Sequence, residues 1–431
     1  MQEQPGWKRP FFLIWSGQAV SLLGSSLVQF ALVWWLTQET GSATALAGAT
    51  LAALLPGIVI GPFAGALVDR WSRRWVMVVA DGAIALTTAW AAALAWSGAL
   101  QPWHVYAVMF IRGAGGAFHW PAMQASTSLM VPPRHLARVA GMNQTLYGVM
   151  NIMAPPLGAL LLSLFSLYHV LLIDIGTALT AILPLLFIAV PQPPAAASAG
   201  AGAARRSVLG DLAAGLRYAA AWPGLLLLMG MATLINFVVT PAFSLMPLLV
   251  VNHFQGGPWH LGGLESAFGV GVVLGGVLLS AWGGFKRRIV TSLVGLVGLG
   301  VGILLIGVTP AALFTLGLAA MFLAGFTQPM INGPVMAIMQ AKVAPEMQGR
   351  IFTLLFAAST AMTPLSLAVA GPVADAVGIN SWYIVGGLSC LAIAAGGALL
   401  PPVLHIEEHE QGEATAPESE TQSAPAEDEL G

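Results

Sequence analysis

Long apolar segments recur along this whole chain, and they limit the folds it can adopt more than any other feature. A membrane-spanning helix needs about 20 mostly apolar residues. Twelve candidate segments can be marked: roughly 10–37, 43–68, 75–97, 102–125, 139–163, 168–190, 222–249, 260–282, 289–308, 311–340, 351–374 and 380–404. Only 8% of the 431 residues are charged, whereas soluble proteins have about 25%. The sequence therefore predicts an all-α membrane protein with twelve transmembrane helices in the lipid bilayer.

The basic residues indicate how these segments are arranged across the membrane. Of the 16 Lys and Arg residues, 15 precede the first segment or fall in or beside every second connection: Lys8, Arg9, Arg70, Arg73, Arg74, Arg134, Arg138, Arg205, Arg206, Arg217, Lys286, Arg287, Arg288, Lys342 and Arg350. Cytoplasmic loops of membrane proteins carry an excess of Lys and Arg. We therefore expect both termini to lie in the cytoplasm.

The chain also contains an internal repeat. Met109-Phe110-Ile111-Arg112-Gly113 aligns with Met321-Phe322-Leu323-Ala324-Gly325 at an offset of 212 residues. Similar offsets relate two other regions, which indicates two related halves. We predict two pseudo-symmetric halves of six helices, residues 1–190 and 222–404. A flexible cytoplasmic linker rich in Pro, Ala and Gly, residues 191–221, would join them, and residues 405–431 would form a disordered acidic tail.

One charged connection carries the first family resemblance. Between the second and third segments the chain reads Gly65-Ala-Leu-Val-Asp-Arg-Trp-Ser-Arg-Arg74, which resembles the signature loop of the major facilitator superfamily. The resemblance implies that this loop latches the cytoplasmic side closed through Gly65, Asp69, Arg70, Arg73 and Arg74. The repeat has Ser280 in place of Asp69, so we assign gating to Asp69 in particular. The alternative is that the arginines only determine topology.

Further motifs resemble the same superfamily. Arg112-Gly113 with Gly116 resembles its arginine motif in the fourth helix, and Pro155-Pro156-Leu157-Gly158 resembles its antiporter motif. Three short segments are similar to the branch of macrolide-efflux and enterobactin-exporter-like drug:proton antiporters: 118–122, 173–177 and 264–269.

The resemblance implies a monomeric secondary transporter of the plasma membrane that works by alternating access. It would export amphipathic drugs such as macrolides in exchange for protons, with the proton gradient as its energy source and no cofactor. A siderophore or metabolite exporter of the same fold is the alternative, and a non-transporting receptor or scaffold is a remote one.

Several motifs of other function classes are absent from the sequence. It has no G-x-x-x-x-G-K-[ST] loop and no H-E-x-x-H motif, and its eight His residues show no metal-ligand spacing. A single cysteine, Cys390, cannot form an intrachain disulfide. We therefore expect neither ATP-driven transport, enzymatic activity, a metal site nor a nucleic-acid partner.

Arg112 is the most informative polar residue, because it falls roughly 13 Å below the outer end of its helix. A central Arg costs about 3 kcal/mol to insert, and its counterpart in the repeat is Ala324, which favours a functional role. The alternative is a structural ion pair. Asp81 is the predicted partner, and its protonation or substrate binding would release the pair. Alternatively, Asp81 supports the signature loop together with Arg70 and Arg73.

Two more acids lie near the outer ends of their helices. Asp174 falls roughly 9 Å and Glu265 roughly 6 Å from those ends. Acidic residues stabilise helix N-termini, so capping or gating is one interpretation. The other is that either acid takes up protons from outside, so Arg112, Asp81, Asp174 and Glu265 are the candidate proton-coupling residues.

Substrate contacts are expected on four helices, because the superfamily lines its cavity with the first, fourth, seventh and tenth. Adaptable Met and aromatic side chains with few polar groups suit amphipathic solutes. The candidates on these helices are Gln29, Trp34, His119, Trp120, Asn236, Phe237, Gln328, Asn332 and Met336. The alternative for each of them is a role in helix packing.

Overall fold

A computed structural model describes residues 6–68, 70–192 and 208–408, and the secondary structure of these residues is helical. The α-helices are α1 Lys8–Thr40, α2 Ala43–Val68, α3 Arg73–Trp96, α4 Pro102–Met130, α5 Pro133–Leu164, α6 Leu167–Phe187, α7 Val208–Ala221, α8 Pro223–Ser244, α9 Met246–Asn252, α10 Pro258–Trp282, α11 Arg288–Val308, α12 Phe314–Lys342, α13 Pro345–Val377, α14 Ile379–Leu399 and α15 Pro401–Leu404. Short 3₁₀ helices cover Ala311–Leu313 and Ile406–Glu408. The predicted all-α class is confirmed.

Within the described ranges, eleven helices are long and apolar enough to cross a membrane. The remaining predicted span is α4, which has 29 residues and is therefore also long enough. It is less apolar because it contains Arg112, His104, His119 and Gln124. Arg112 therefore lies on a helix of spanning length that is less apolar than those eleven.

Prolines explain where the observed helices depart from the predicted segments. α5 and α13 begin at Pro133 and Pro345, about six residues before the predicted starts, because proline suits the first turn of a helix. The predicted segment 222–249 is interrupted at Leu245 between α8 and α9. Pro247 lies in the first turn of α9, since it has no N–H to continue the preceding helix.

The predicted linker and tail are only partly described. Residues 193–207 and 409–431 lie outside the described ranges, while α7 packs against α8 and α13. The chain is still packed at Glu408, beyond the predicted start of the tail at residue 405. Ile406 is buried, the Ile289 N–H donates to Glu407 Oε1 at 2.8 Å, and Glu408 Oε1 pairs with Arg287 Nη2 at 3.0 Å.

The two halves contact each other through α2 with α13 and through α5 with α10. Gly371 of α13 lies against Thr44 of α2. Ser266 of α10 donates its hydroxyl proton to the Ile152 carbonyl of α5 at 3.1 Å. Both contacts lie toward the helix ends whose connections carry no Lys or Arg.

Close packing of α10 on α12 depends on selected glycines. Gly271 and Gly275 are buried, and a β-carbon added at Gly275 would overlap the Phe326 carbonyl. Gly276, the next residue of α10, faces open space. The difference follows from the helical period, which turns neighbouring residues about 100° apart.

Gly275→Ala is expected to destabilise the protein by about 1–3 kcal/mol, because the two helices must separate to accommodate the methyl group. The thermal unfolding midpoint of the purified protein in detergent measures this loss. Gly276→Ala is the matched control and should leave the midpoint unchanged. An equal effect of the two substitutions would contradict the packing argument.

Candidate functional site

A central cavity of about 940 Å³ lies between the two halves. Its wall combines aromatic and aliphatic side chains with a few polar groups from both halves. The lining residues are Leu22, Ser25, Ser26, Gln29, Phe30, Val33, Thr50, Ala53, Met109, Arg112, Gly113, Gly116, Gly148, Met150, Asn151, Ala154, Pro155, Phe243, Ser244, Met246, Pro247, Leu261, Glu265, Phe268, Gly269, Val272, Val273 and Gln328. The cavity is large enough for a drug-sized ligand.

Two of the predicted substrate residues, Gln29 and Gln328, line this cavity. The others lie elsewhere: Trp34, His119, Trp120, Asn236, Phe237, Asn332 and Met336. Trp34 is buried in the core, and Trp120 packs on Tyr147 with ring centroids 5.6 Å apart. Asn236 donates to the Ala232 carbonyl of its own helix.

The lining face of α1 follows a pattern that is visible in the sequence. Residues 22, 25, 26, 29 and 33 all line the cavity, and their spacing marks one face of a helix. Trp34 follows Val33 by about 100° around the axis and therefore points away. Aromatic character alone did not identify the lining residues.

Arg112 forms a buried ion pair with Asp174 of α6. Its Nη1 lies 2.9 Å from Asp174 Oδ2, and the two side chains are 9% and 1% exposed. Nη1 also donates to Thr88 Oγ1 of α3 at 3.0 Å, and Nη2 donates to the Ser25 carbonyl of α1 at 3.0 Å. One guanidinium thus connects four helices at the cavity wall.

The carboxylate of Asp174 has further partners. Thr88 Oγ1 lies 3.2 Å from Oδ2, and Ser25 Oγ donates to Oδ1 at 3.4 Å. Asp174 is the eighth residue of α6, too far along to cap that helix. The capping interpretation therefore does not fit it.

Asp81 was the predicted partner of Arg112, and the structure places it elsewhere. Gln18 Nε2 donates to Asp81 Oδ2 at 3.0 Å, and His119 Nε2 lies 3.4 Å from Oδ1. Asp81 thus forms a second polar cluster of the N-terminal half, between α1, α3 and α4. The alternative prediction, support of the signature loop by contact with Arg70 and Arg73, is not seen among these contacts.

Glu265 lines the same cavity as Arg112 but belongs to α10 of the C-terminal half. It is the eighth residue of α10, whose first turn is instead closed by His260 Nδ1 accepting from the Gly257 N–H at 3.1 Å. Capping does not describe Glu265 either. Its carboxylate faces the cavity.

The signature loop fastens the start of α3 to neighbouring helices. Arg73 Nη1 donates to the Ala125 carbonyl of α4 at 2.9 Å, and Arg74 Nη2 donates to the Leu186 carbonyl of α6. Leu186 lies in the last turn of α6, where cations are favourable. Arg70 is exposed.

Two members of the predicted gate remain without a test. Gly65 has open space around it, and Asp69 lies outside the described residues. The gating role of the loop therefore stays a prediction.

The antiporter-like motif lies where α5 meets two other helices. Pro155 lines the cavity and lies against Gly262 of α10, while Gly158 lies against the Phe30 ring of α1. Pro156 is half-buried beside them. The motif therefore joins the cavity wall to the contact between the halves.

Asp375, at the end of α13, is a functional candidate that sequence reasoning did not select. Its Oδ1 accepts the Ala43 N–H at 2.6 Å, and its Oδ2 accepts the Thr44 N–H at 3.0 Å and the Ser42 hydroxyl at 2.9 Å. A carboxylate of the C-terminal half thus caps helix α2 of the N-terminal half. The signal in the sequence was an isolated acid at a helix end, which is compatible with many surface roles.

The part of the chain that the structure describes contains no cluster of His, Cys, Asp or Glu suited to a metal ion.

Comparisons with known proteins agree with this architecture. A family model described as the Major Facilitator Superfamily matches residues 14–366. Macrolide efflux protein A of Streptococcus pyogenes is 32% identical over 394 residues, covering 91% of this chain and 96% of that protein. The multidrug efflux pump Tap of Mycolicibacterium fortuitum is 26% identical over 414 residues, covering 92% and 97%.

A solved structure shares the fold at low sequence identity. It is a bacterial homolog of the human lysosomal transporter Spinster, in an inward-facing and unoccupied conformation. The TM-score is 0.66 at 15% identity, and the match covers 94% of this chain and 96% of that chain.

Proposed function

The chain belongs to the major facilitator superfamily, and we propose that it exports amphipathic compounds across the plasma membrane in exchange for protons. The observation that carries this proposal is the buried Arg112–Asp174 pair at the wall of the cavity between the halves. Charges inside a membrane protein are expensive and mark ion or substrate pathways. The proton gradient alone supplies the energy, and a monomer suffices because cavity and ion pair lie within one chain.

The cavity wall supports an amphipathic substrate. Phe30, Met109, Phe243 and Phe268 offer apolar and adaptable surface, with the amides of Gln29 and Gln328 among its few polar groups. Relatives that share about a third or a quarter of their residues with this chain are named as macrolide and multidrug efflux proteins. Macrolides are therefore the first substrates to test.

Coupling is proposed to occur at Asp174. Protonation would cancel its charge, remove the ionic contact with Arg112 and free the guanidinium to move. Ser25 lines the cavity and hydrogen-bonds Asp174, so its hydroxyl offers a route for the proton. Because Arg112 also holds α1 and α3, loss of the pair changes contacts among four helices.

Alternating access is supported by the contacts between the halves. These contacts lie at the ends without basic loops, which the positive-inside rule places outside the cell. The conformation is then inward-facing, with both termini in the cytoplasm. Rocking of the halves would expose the same cavity to the outside.

Substrate-dependent proton movement in proteoliposomes tests the proposal. With an acidic lumen, addition of erythromycin outside is expected to drive protein-dependent alkalinisation, reported by a trapped pH dye. Protein-free liposomes measure passive movement of the macrolide, and Asp174→Asn should lower the signal to that level. A parent protein that moves no protons, or an Asp174→Asn variant that matches the parent, would refute the coupling.

A further inference from the structure

Glu265 is the charged group of the cavity that lacks a counter-charge. Among the residues that line the cavity, Arg112 and Glu265 are the ionisable ones. The charge of Arg112 is balanced by Asp174 at 2.9 Å. Glu265 makes no hydrogen bond and no ion pair with any residue in the described ranges. An ionised Glu265 therefore gives the cavity wall a net negative charge.

The surroundings of Glu265 suit an apolar body rather than water alone. Leu261, Phe268 and Val272 lie on the same face of α10 and also line the cavity. The ring of Phe268 packs edge-on against Phe243 of α8, with centroids 4.7 Å apart. This ring pair is a rigid apolar surface on the same wall as the carboxylate.

We propose that Glu265 recognises a protonated amine of the substrate, so that the transported class is amphipathic cations: a bulky apolar body carrying an ammonium group. An uncompensated charge in a membrane interior is costly, and a ligand cation offsets that cost while its body covers the apolar wall. Aromatic rings add attraction for a cation near their faces. The inference rests on the proposed export function and names its substrate class.

This assignment separates recognition from coupling. Glu265 belongs to α10 in the C-terminal half, whereas Arg112 and Asp174 belong to α4 and α6 in the N-terminal half. A cation held by Glu265 lies in the cavity that Arg112 also lines. Substrate occupancy thus places positive charge between the halves, where it repels the guanidinium and favours its retention by Asp174.

A pair of fluorescent probes that differ in one charge tests the assignment. Dansylcadaverine ends in a primary ammonium, and N-hexyl dansylamide, with a methyl group in place of the ammonium, is its uncharged counterpart of equal length. The full chain, purified in detergent, is titrated with each probe at neutral pH. We expect the parent to bind the ammonium probe at least about tenfold more tightly, a difference of about 1.4 kcal/mol.

Variants at Glu265 should change the ratio of the two dissociation constants, that of the uncharged probe divided by that of the ammonium probe. Glu265→Gln keeps the shape and removes the charge, so the ratio should fall to within about twofold of unity. Glu265→Asp retains the charge and should keep a preference for the ammonium probe. Glu346→Gln is the matched control, since Glu346 is exposed at the start of α13, and should keep the parental ratio. Elution as a single species on size exclusion shows that each variant is folded.

Failure of the inference is distinguishable from failure of the export proposal. A parental ratio near unity, or an unchanged ratio in Glu265→Gln, overturns the cation site even if proton-coupled macrolide export is observed. Conversely, a charge preference that disappears in Glu265→Gln supports the site even if the proteoliposomes show no coupled proton movement.

Discussion

Arg112→Ala is expected to abolish substrate-driven proton movement, because protonation of Asp174 would no longer release an ionic contact. Removing one partner of a buried ion pair also costs about 3–5 kcal/mol of stability. Asp174 is 1% exposed and would lose its ionic partner while remaining buried. The proteoliposome assay measures transport, and the thermal unfolding midpoint measures stability.

A charge-free double variant separates the two effects of this substitution. Arg112→Met with Asp174→Asn leaves no uncompensated charge, so most of the lost stability should return. Transport should stay absent, because the double variant lacks both the carboxyl group that we propose takes up the proton and the guanidinium that its protonation would release. A double variant that transports as well as the parent would refute a coupling role for the pair.

The helices were predictable because their physical requirement is simple. A bilayer imposes a minimum apolar length, and every predicted segment coincides with a helix to within a few residues at most ends. The exceptions are local: Pro133 and Pro345 extend their helices, and the chain breaks at Leu245. The length of an apolar segment does not determine where a proline starts a helix or where the chain breaks.

The pairing of Arg112 shows where sequence reasoning failed. Position along a helix gave its depth, roughly 13 Å from the outer end, and the value for Asp174 was roughly 9 Å from the same side. Asp174 is the closer match in depth, yet Asp81, measured from the opposite face, was the predicted partner. What the sequence lacks is the direction in which each side chain points around its helix. Thr88 and Ser25, which complete the site, are ordinary small polar residues in the sequence.

The cavity illustrates the same limit. Gln29 and Gln328 were identified because polar side chains are rare in these helices, whereas Trp34 was chosen for its aromatic ring and is buried in the core. Glu265 was singled out as an intramembrane acid, but its exposure to the cavity without a partner depends on how the two halves meet. Tertiary packing decides that arrangement.

Asp375→Ala is expected to weaken closure of the outer side, which the positive-inside rule assigns to the α2–α13 contact. The substitution removes three hydrogen bonds that tie α13 to the N-terminus of α2. Loss of a helix cap costs about 1–2 kcal/mol, which shifts a two-state equilibrium by a factor of about 5–30. We therefore expect the population open to the outside to rise by about tenfold.

Labelling of a cavity cysteine from outside the cell measures this shift. Ser26 lines the cavity, and Cys390, the single native cysteine, is buried. In a Cys390→Ser background, Ser26→Cys should react with an impermeant thiol reagent about tenfold faster once Asp375 is replaced by Ala. Asp375→Asn keeps an oxygen acceptor and should react at a rate between the two.

Glu407→Ala is the matched control for this measurement. Glu407 accepts the Ile289 N–H at the start of α11 at 2.8 Å, so it is also a carboxylate cap, but both partners belong to the C-terminal half. Its loss should lower stability by about 1 kcal/mol without changing the labelling rate. Equal acceleration by Glu407→Ala, or none by Asp375→Ala, would show that Asp375 does not hold the outer contact closed. Acceleration by Asp375→Ala alone would identify this cap as the contact that has to break before the cavity opens outward.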